Sequence, residues 1–430
     1  MKAVLLVVDN PHREMRGMVG IWRRLWRGGV VAHIASKTTF NDWYAIMRPE
    51  VVVLPRATSE MGAFMESKAS ETRFVVVPSE HGAGFKNKTL NNVFGPNFVG
   101  TGTVTSAINR ASLLLVGGEN QRQWISEAVP ALASRTRTTG TLSSDHWFRP
   151  KRDRGDRRQM GICTTFKSLL LASTTSSVHR LLYEHQSPDY DANAWRLKLQ
   201  DYEFHYLVCL FKVIDQLAAA GYAVDIRPHP HEYWPGWRRW KQVAPSAVSL
   251  NRDMDLAHWL DGNLACITSF STTGLDCIAR GVPSISLEGM VKDQASRVPV
   301  QRQPLEGRFS WQASSVDELL SLLRTAERGE LPPSPAMAEA GEFMRANFHW
   351  PRTRTAAALC VDEILRLLNE MPPGARTGRF RRLASVPRVV LKILAKDVRD
   401  SVGPRRSNLL FTFSAKIWHD AYLFNRDLDN

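Results

Sequence analysis

The sequence predicts an α/β protein of two doubly wound parallel-sheet domains followed by a basic helical extension. Three observations carry this expectation. Short apolar runs alternate with helix-like stretches through the first 150 residues. A charged stretch without apolar anchors, 151–158, interrupts the alternation, which resumes at Gln159. Polar segments with Gly or Pro follow the apolar runs, where a parallel sheet needs its turns. A chain of 430 residues with 43% hydrophobic content can fill two such cores.

In the first half, Ala3–Val8 reads as a buried strand. Its six apolar residues end in Asp9, too short a run for the apolar region of a signal peptide. Residues 14–26 read as a helix stopped by Gly28-Gly29. Residues 30–34, 51–54 and 74–77 are further short strands, and 107–116 reads as a helix running into a strand. A helix is expected over 121–128 and a short strand over 137–139. In the second half, strands are expected at 159–163, 222–226, 247–250, 264–267 and 284–287. Helices are expected within 195–220 and at 254–260 and 273–280. Three helices follow, over 315–328, 336–348 and 353–371, before Pro372-Pro373-Gly374 breaks the pattern. The domains are therefore 1–150 and 151–350, with 351–374 returning to the first and 375–430 a basic tail.

Two segments of the second half stand out. Arg227-Pro228-His229-Pro230-His231-Glu232 follows a strand, and its prolines hold it extended. Ser269-Phe270-Ser271-Thr272-Thr273-Gly274-Leu275-Asp276 follows another strand and opens a helix. Hydroxyls and backbone N–H groups at a helix N-terminus favour an anion. His229 and Arg227 would complete a phosphate clamp. Ser269, Ser271, Thr272 and Thr273 supply the hydroxyls, Gly274 allows close backbone approach, and Asp276 could accept from ribose hydroxyls. An ordinary capped helix and a polar loop are the plain alternatives. No G-x-x-x-x-G-K phosphate loop is present.

Three segments of the first half also fall at strand ends: Asp9-Asn10-Pro11-His12-Arg13-Glu14, Ser79-Glu80-His81-Gly82-Ala83-Gly84 and Gly117-Gly118-Glu119-Asn120-Gln121. They would line a cleft opposite the clamp. A carboxylate on a glycine-flanked loop suits a general base, with Glu80 the first choice and Asp9 the second. Glu14 and Glu119 could instead cap helices or pair with Arg13 and Arg122.

Composition narrows the classes. Lys and Arg number 56 against 42 Asp and Glu, a net charge of +14. That balance suits phosphate-bearing ligands or an anionic surface. The excess concentrates in 151–158 and the tail, and no nucleic-acid-binding motif appears, so no nucleic-acid partner is expected. The five cysteines form no C-x-x-C pair, which argues against a zinc site or disulfide framework and for a reducing compartment. Neither G-x-S-x-G nor H-E-x-x-H occurs, and a reaction without metal or cofactor is expected. No run of 18 apolar residues suggests a spanning helix, whereas 386–402 mixes apolar and basic residues at helical spacing.

Taken in order, these segments resemble bacterial surface-carbohydrate biosynthesis proteins of the two-domain GT-B glycosyltransferase architecture, over roughly residues 1–290. More distantly they are similar to polysialyltransferases and capsule Kdo transferases, which carry an acidic-acidic-glycine, a His-Pro and a serine-rich motif. Glu80-His81-Gly82 would fill the first, with His81 departing from the second acidic residue. His229-Pro230 and Ser271-Thr272-Thr273 would fill the others. The resemblance implies two Rossmann-like domains facing a cleft, the first for an acceptor and the second for a nucleotide-sugar donor. Glu80 would be the base, supported by Asp9 and His81, and His229 with the hydroxyls would hold the donor phosphate. Arg13, Glu14, Gly82 and Glu119 would line the acceptor side. A CMP-linked donor, a glycan or glycolipid acceptor, and a cytoplasmic protein peripheral on the membrane through 375–430 complete the expectation. A CDP-glycerol-type transferase or a UDP-sugar enzyme on the same fold, and a non-catalytic scaffold, remain alternatives.

Overall fold

The structure, a computed structural model, describes residues 2–9, 11–57, 59–78, 86–94, 106–151, 158–166, 190–229, 232–252, 255–268, 271–291 and 308–371. The chain divides into two compact units, Met1–Pro150 with Phe343–Asn430, and Lys151–Glu342.

The first unit runs β1 (Ala3–Val8), α1 (Pro11–Arg27), β2 (Val31–Ser36), α2 (Phe40–Met47), β3 (Val51–Leu54), α3 (Ser59–Lys68), β4 (Arg73–Val76), α4 (Lys86–Phe94), β5 (Ala111–Val116), α5 (Glu119–Ala128) and β6 (Thr136–Thr138). Short 3-10 helices lie at Ser106–Arg110, Pro130–Arg135 and Leu142–Phe148. All pairings are parallel, in the order β2-β1-β3-β4-β5-β6. The two-residue period of β1 explains why the sheet is buried on both faces. Val4, Leu6 and Val8 join one core with Met15, Met18 and Ile21 of α1. Leu5 and Val7 join the other with Phe40, Phe64 and Phe74. Each such side chain contributes about 1.5–3 kcal/mol by leaving water.

The second unit runs β7 (Gln159–Cys163), α6 (Tyr190–Ala219), β8 (Ala223–Arg227), α7 (Trp234–Lys241), β9 (Val248–Leu250), α8 (Leu256–Asp261), β10 (Ala265–Thr268), α9 (Thr273–Arg280), β11 (Ser284–Ser286), α10 (Glu288–Val291), β12 (Trp311–Gln312) and α11 (Val316–Glu327). Its sheet is also parallel, in the order β12-β11-β10-β7-β8-β9. Gly161 is required in β7, because a Cβ there would stand 2.9 Å from both the Trp259 ring and the Asn263 amide carbon. α8 is tied to α9 by a buried Arg280–Asp261 pair, with Arg280 Nε donating at 3.0 Å.

The last described helices are α12 (Met337–Phe348) and α13 (Ala356–Glu370), and the boundary between the units falls inside α12. Ala357, Cys360, Val361, Ile364 and Leu368 of α13 complete the core that holds Val4 and Leu6. Asp145 fixes the start of α13. Its carboxylate accepts from the Ala356 and Ala357 N–H groups at 2.6 and 2.9 Å and from Arg352 Nη2 at 2.8 Å. Gly118 admits α12: a Cβ there would lie 2.3–2.5 Å from the backbone of Ala346 and Asn347.

Two parallel α/β lobes match the expected fold class. Several helices were not anticipated. α3 contains Gly62 and its apolar residues follow no clear stripe, whereas α7 opens Trp234-Pro235-Gly236, which reads as a turn. Pro235 is tolerated because the first turn of a helix needs no N–H there. The basic tail 375–430 and the membrane-binding role expected of it lie outside the described residues. Among the described residues no helix is long and apolar enough to cross a membrane.

Candidate functional site

The second sheet reverses its strand order between β7 and β10. From β7 the chain proceeds to β8 and β9 on one side, then to β10, β11 and β12 on the other. Ligands of open parallel sheets bind beyond the C-terminal strand ends at such a reversal. Register places Cys163, Arg227 and Thr268 level with one another on β7, β8 and β10. The segments just beyond them are Thr164–Phe166, Pro228-His229 and Ser271–Thr273. Both motifs singled out in the sequence thus flank β7.

Cys163 reports how close they come. Its neighbour Cys266 and burial push the thiol well above its ordinary range, while Arg227 on one side and the Thr273 hydroxyl on the other pull it back. Cys266 is itself pushed well up, by burial first, and Cys277 is also raised by burial. These buried thiols therefore stay protonated and form an inert floor.

Above that floor, Ser271 Oγ lies 2.8 Å from Thr273 Oγ1 and accepts from the Thr273 N–H at 3.2 Å. Ser271, rather than Thr272, closes the helix start; Thr272 is exposed and makes no side-chain cap bond. A Cβ at Gly274 would make only ordinary contacts, at 3.5–3.9 Å, with the Ser284, Ser310 and Thr268 hydroxyls. Those hydroxyls form a buried chain, Thr268 to Ser284 at 3.1 Å and Ser284 to Ser310 at 2.8 Å. Asp276 is buried in α9, 8% exposed. His229 and Arg227 are half-buried.

Glu232, the last residue of the Arg227–Glu232 segment, had no role in the sequence reading. It is 3% exposed, and its carboxylate accepts from Thr164 Oγ1 at 2.7 Å, the Phe166 N–H at 2.8 Å and Trp237 Nε1 at 2.8 Å. A carboxylate closing a segment with two prolines is the signal the sequence offered.

In the first unit the strand-end residues are engaged locally. Asp9 pairs with Arg56 and with Lys37, whose Nζ is 3.6 Å away. Its backbone N–H donates to Glu14 Oε2 at 2.7 Å, so the buried Glu14 ties down the entry to α1. Glu119 forms a forked pair with Arg122, which holds its carboxyl below the usual range. Gln121 Oε1 accepts from the Gly118 N–H at 3.0 Å, and the Asn120 amide donates to Asn347 Oδ1 at 3.3 Å. The Gly118–Gln121 segment is thus where α12 docks. Arg13 belongs to α1, and its side chain, with Glu80, His81, Gly82 and Ser269, lies outside the described residues.

Among the described residues no group of three His, Cys, Asp or Glu side chains is placed to hold a metal ion. D-x-D triplets do occur in the sequence, at 189–191, 253–255 and 427–429. Of these, Asp255 caps α8, accepting from the His258 N–H at 3.2 Å.

No family model matches the chain. No curated protein sequence matches it. Solved structures do. The chain is similar to the UDP-GlcNAc 2-epimerase of Methanocaldococcus jannaschii at 10% identity, over 86% of this chain and 99% of that one, with a TM-score of 0.44. It is similar to a Listeria monocytogenes putative UDP-N-acetylglucosamine 2-epimerase at 12% identity, over 87% and 98%, with a TM-score of 0.48. It is also similar to the wall teichoic acid polymerase TagF at 11% identity, over 87% and 90%, with a TM-score of 0.49. At these levels the likeness says nothing of substrate.

Proposed function

We propose that the second unit binds the phosphate of a nucleotide-linked donor between the His229 loop and the Ser271–Thr273 turn, and that the protein is a glycosyltransferase of surface-glycan assembly. The observation that carries this reading is the convergence of both segments on β7 at the reversal of strand order. A helix start with clustered hydroxyls favours an anion, and Arg227 and His229 add donors from the opposite side. Stabilising charge on the leaving phosphate is the chemistry such an arrangement supplies.

The finer assignments follow the family resemblance. The donor is a CMP-linked nonulosonic acid or Kdo, the acceptor a glycan or glycolipid, and Glu80 the base that takes the acceptor proton, with Asp9 or His81 in support. The tail 375–430 holds the protein at the cytoplasmic face of an anionic membrane. Asp9 is the second choice, since Arg56 and Lys37 already engage it.

Calorimetric titration with CMP, CDP, UDP and GDP, repeated on His229→Ala, tests the reading. Selective CMP binding that the substitution weakens at least tenfold supports it. Preference for CDP or UDP moves the chemistry to a polyol-phosphate or hexosyl donor on the same site. Absence of binding to all four removes the donor site and leaves a non-catalytic scaffold.

A further inference from the structure

Glu232 joins three separate pieces of chain. Thr164 and Phe166 belong to the turn after β7, His229 to the loop after β8, and Trp237 to α7. Thr164, Phe166 and Trp237 donate to its carboxylate, and its own backbone N–H donates to the His229 carbonyl at 2.9 Å. An ionised carboxylate offers about four lone-pair sites, and these three donors occupy most of them. Burial pushes the Glu232 carboxyl above its ordinary range, and each donor pulls the other way. Buried and bound by these donors, Glu232 is placed to hold chain segments together rather than to meet a ligand.

The arrangement has a purpose in this fold. Among the described residues beyond the strand ends, the β7 and β8 segments share one backbone bond, from the Thr164 N–H to the Arg227 carbonyl at 3.3 Å. Pro228 has no N–H to offer. The buried carboxylate supplies the missing connection from beneath.

We infer that Glu232 is a positioning residue, which locks the His229 loop to the β7 turn so that His229 meets a phosphate-bearing ligand at the strand-order reversal. The inference rests on the donor-site reading above, and it predicts that Glu232 acts on ligand affinity only through His229.

Glu232→Gln tests it, because the substitution turns an amide N–H₂ against the donors while preserving shape. Hydrogen exchange at the backbone amides of Phe166 and of residue 232 should rise at least tenfold, while Val224 and Cys266 in the strands stay protected. Affinity for whichever of CMP, CDP, UDP and GDP the wild type binds best should fall about tenfold. In a His229→Ala background the same substitution should add less than a twofold loss, since coupled residues are non-additive. Thr164→Val removes one donor and leaves the carboxylate. It should produce a smaller change of the same kind, and it carries the test if Glu232→Gln does not fold. Unchanged exchange at both amides overturns the inference, and so do losses that multiply in the double variant. A wild type that binds none of the four nucleotides overturns the ligand role of His229, while the exchange data still decide whether Glu232 holds the two loops.

Discussion

The two units are built on sheets of the same size and sense, yet their strand-end polar residues do different work. In the first unit Asp9, Glu14, Glu119 and Gln121 are committed to ion pairs, helix entries and the seat of α12. In the second, Ser271–Thr273 and His229 gather around one strand, and the anchoring falls to a buried residue behind them, Glu232. A polar residue after a strand is thus an ambiguous signal. On the donor-site reading proposed above, what separates anchor from binding group is whether a second, buried residue has taken over the anchoring.

The difference can be broken most forcefully on the first unit. Asp145→Ala leaves Arg352 buried without its carboxylate and strips two N–H groups at the start of α13 of their acceptor. Removing one partner of a buried pair costs about 3–5 kcal/mol. Denaturant unfolding should show a loss of that size, with no change in nucleotide affinity per folded molecule. Gly118→Ala comes next. The added Cβ meets backbone rather than a yielding side chain, and forced overpacking of this kind costs about 1–3 kcal/mol or more.

A pH series sharpens the comparison further. Burial lowers the His33 imidazole from 6.5 to about 4. The unfolded chain takes up that proton first, so stability is full above pH 6.5 and declines as pH falls through the window from 6.5 to about 4. His33→Phe should flatten that limb in unfolding curves recorded across the window. On the second unit the effects should invert. Ser271→Ala removes one cap and costs about 1 kcal/mol of stability, yet should weaken nucleotide binding about tenfold in calorimetry. Smallest of all, Gly274→Ala should change the melting temperature by no more than a degree or two. Its Cβ finds room, and helix propensity favours Ala over Gly by up to about 1 kcal/mol.

Much of the fold was legible in the sequence. β1, β3, β7 and α9 fall at their expected bounds, because runs such as Ala3–Val8 and a hydroxyl-led helix are local signals. α3 and α7 were not legible. Gly62 and Pro235-Gly236 are local breakers that tertiary packing overrides. Of the site, the place of both motifs after strands was legible; their flanking of β7 was not, since it depends on the strand order. Nor was the anchoring by Glu232, since its donors come from residues 164 and 166 after β7 and from residue 237 in α7. Gly118 misled for the same reason: its contact is with residues 346 and 347, far along the chain.

The return of α13 to the first unit also bears on how the protein is made. Val4 and Leu6 on one side of the core, and Val361 and Ile364 on the other, are separated by almost the whole chain. At about 5–20 residues per second, a ribosome that has finished residue 150 needs on the order of 10–40 s more to reach α13. For that interval the first sheet has α1 on that face but lacks the cover of α13, while the second unit is synthesised and can fold in a single uninterrupted piece. Nascent chains stalled before residue 356 should therefore be captured by chaperones far more readily than chains stalled after the tail.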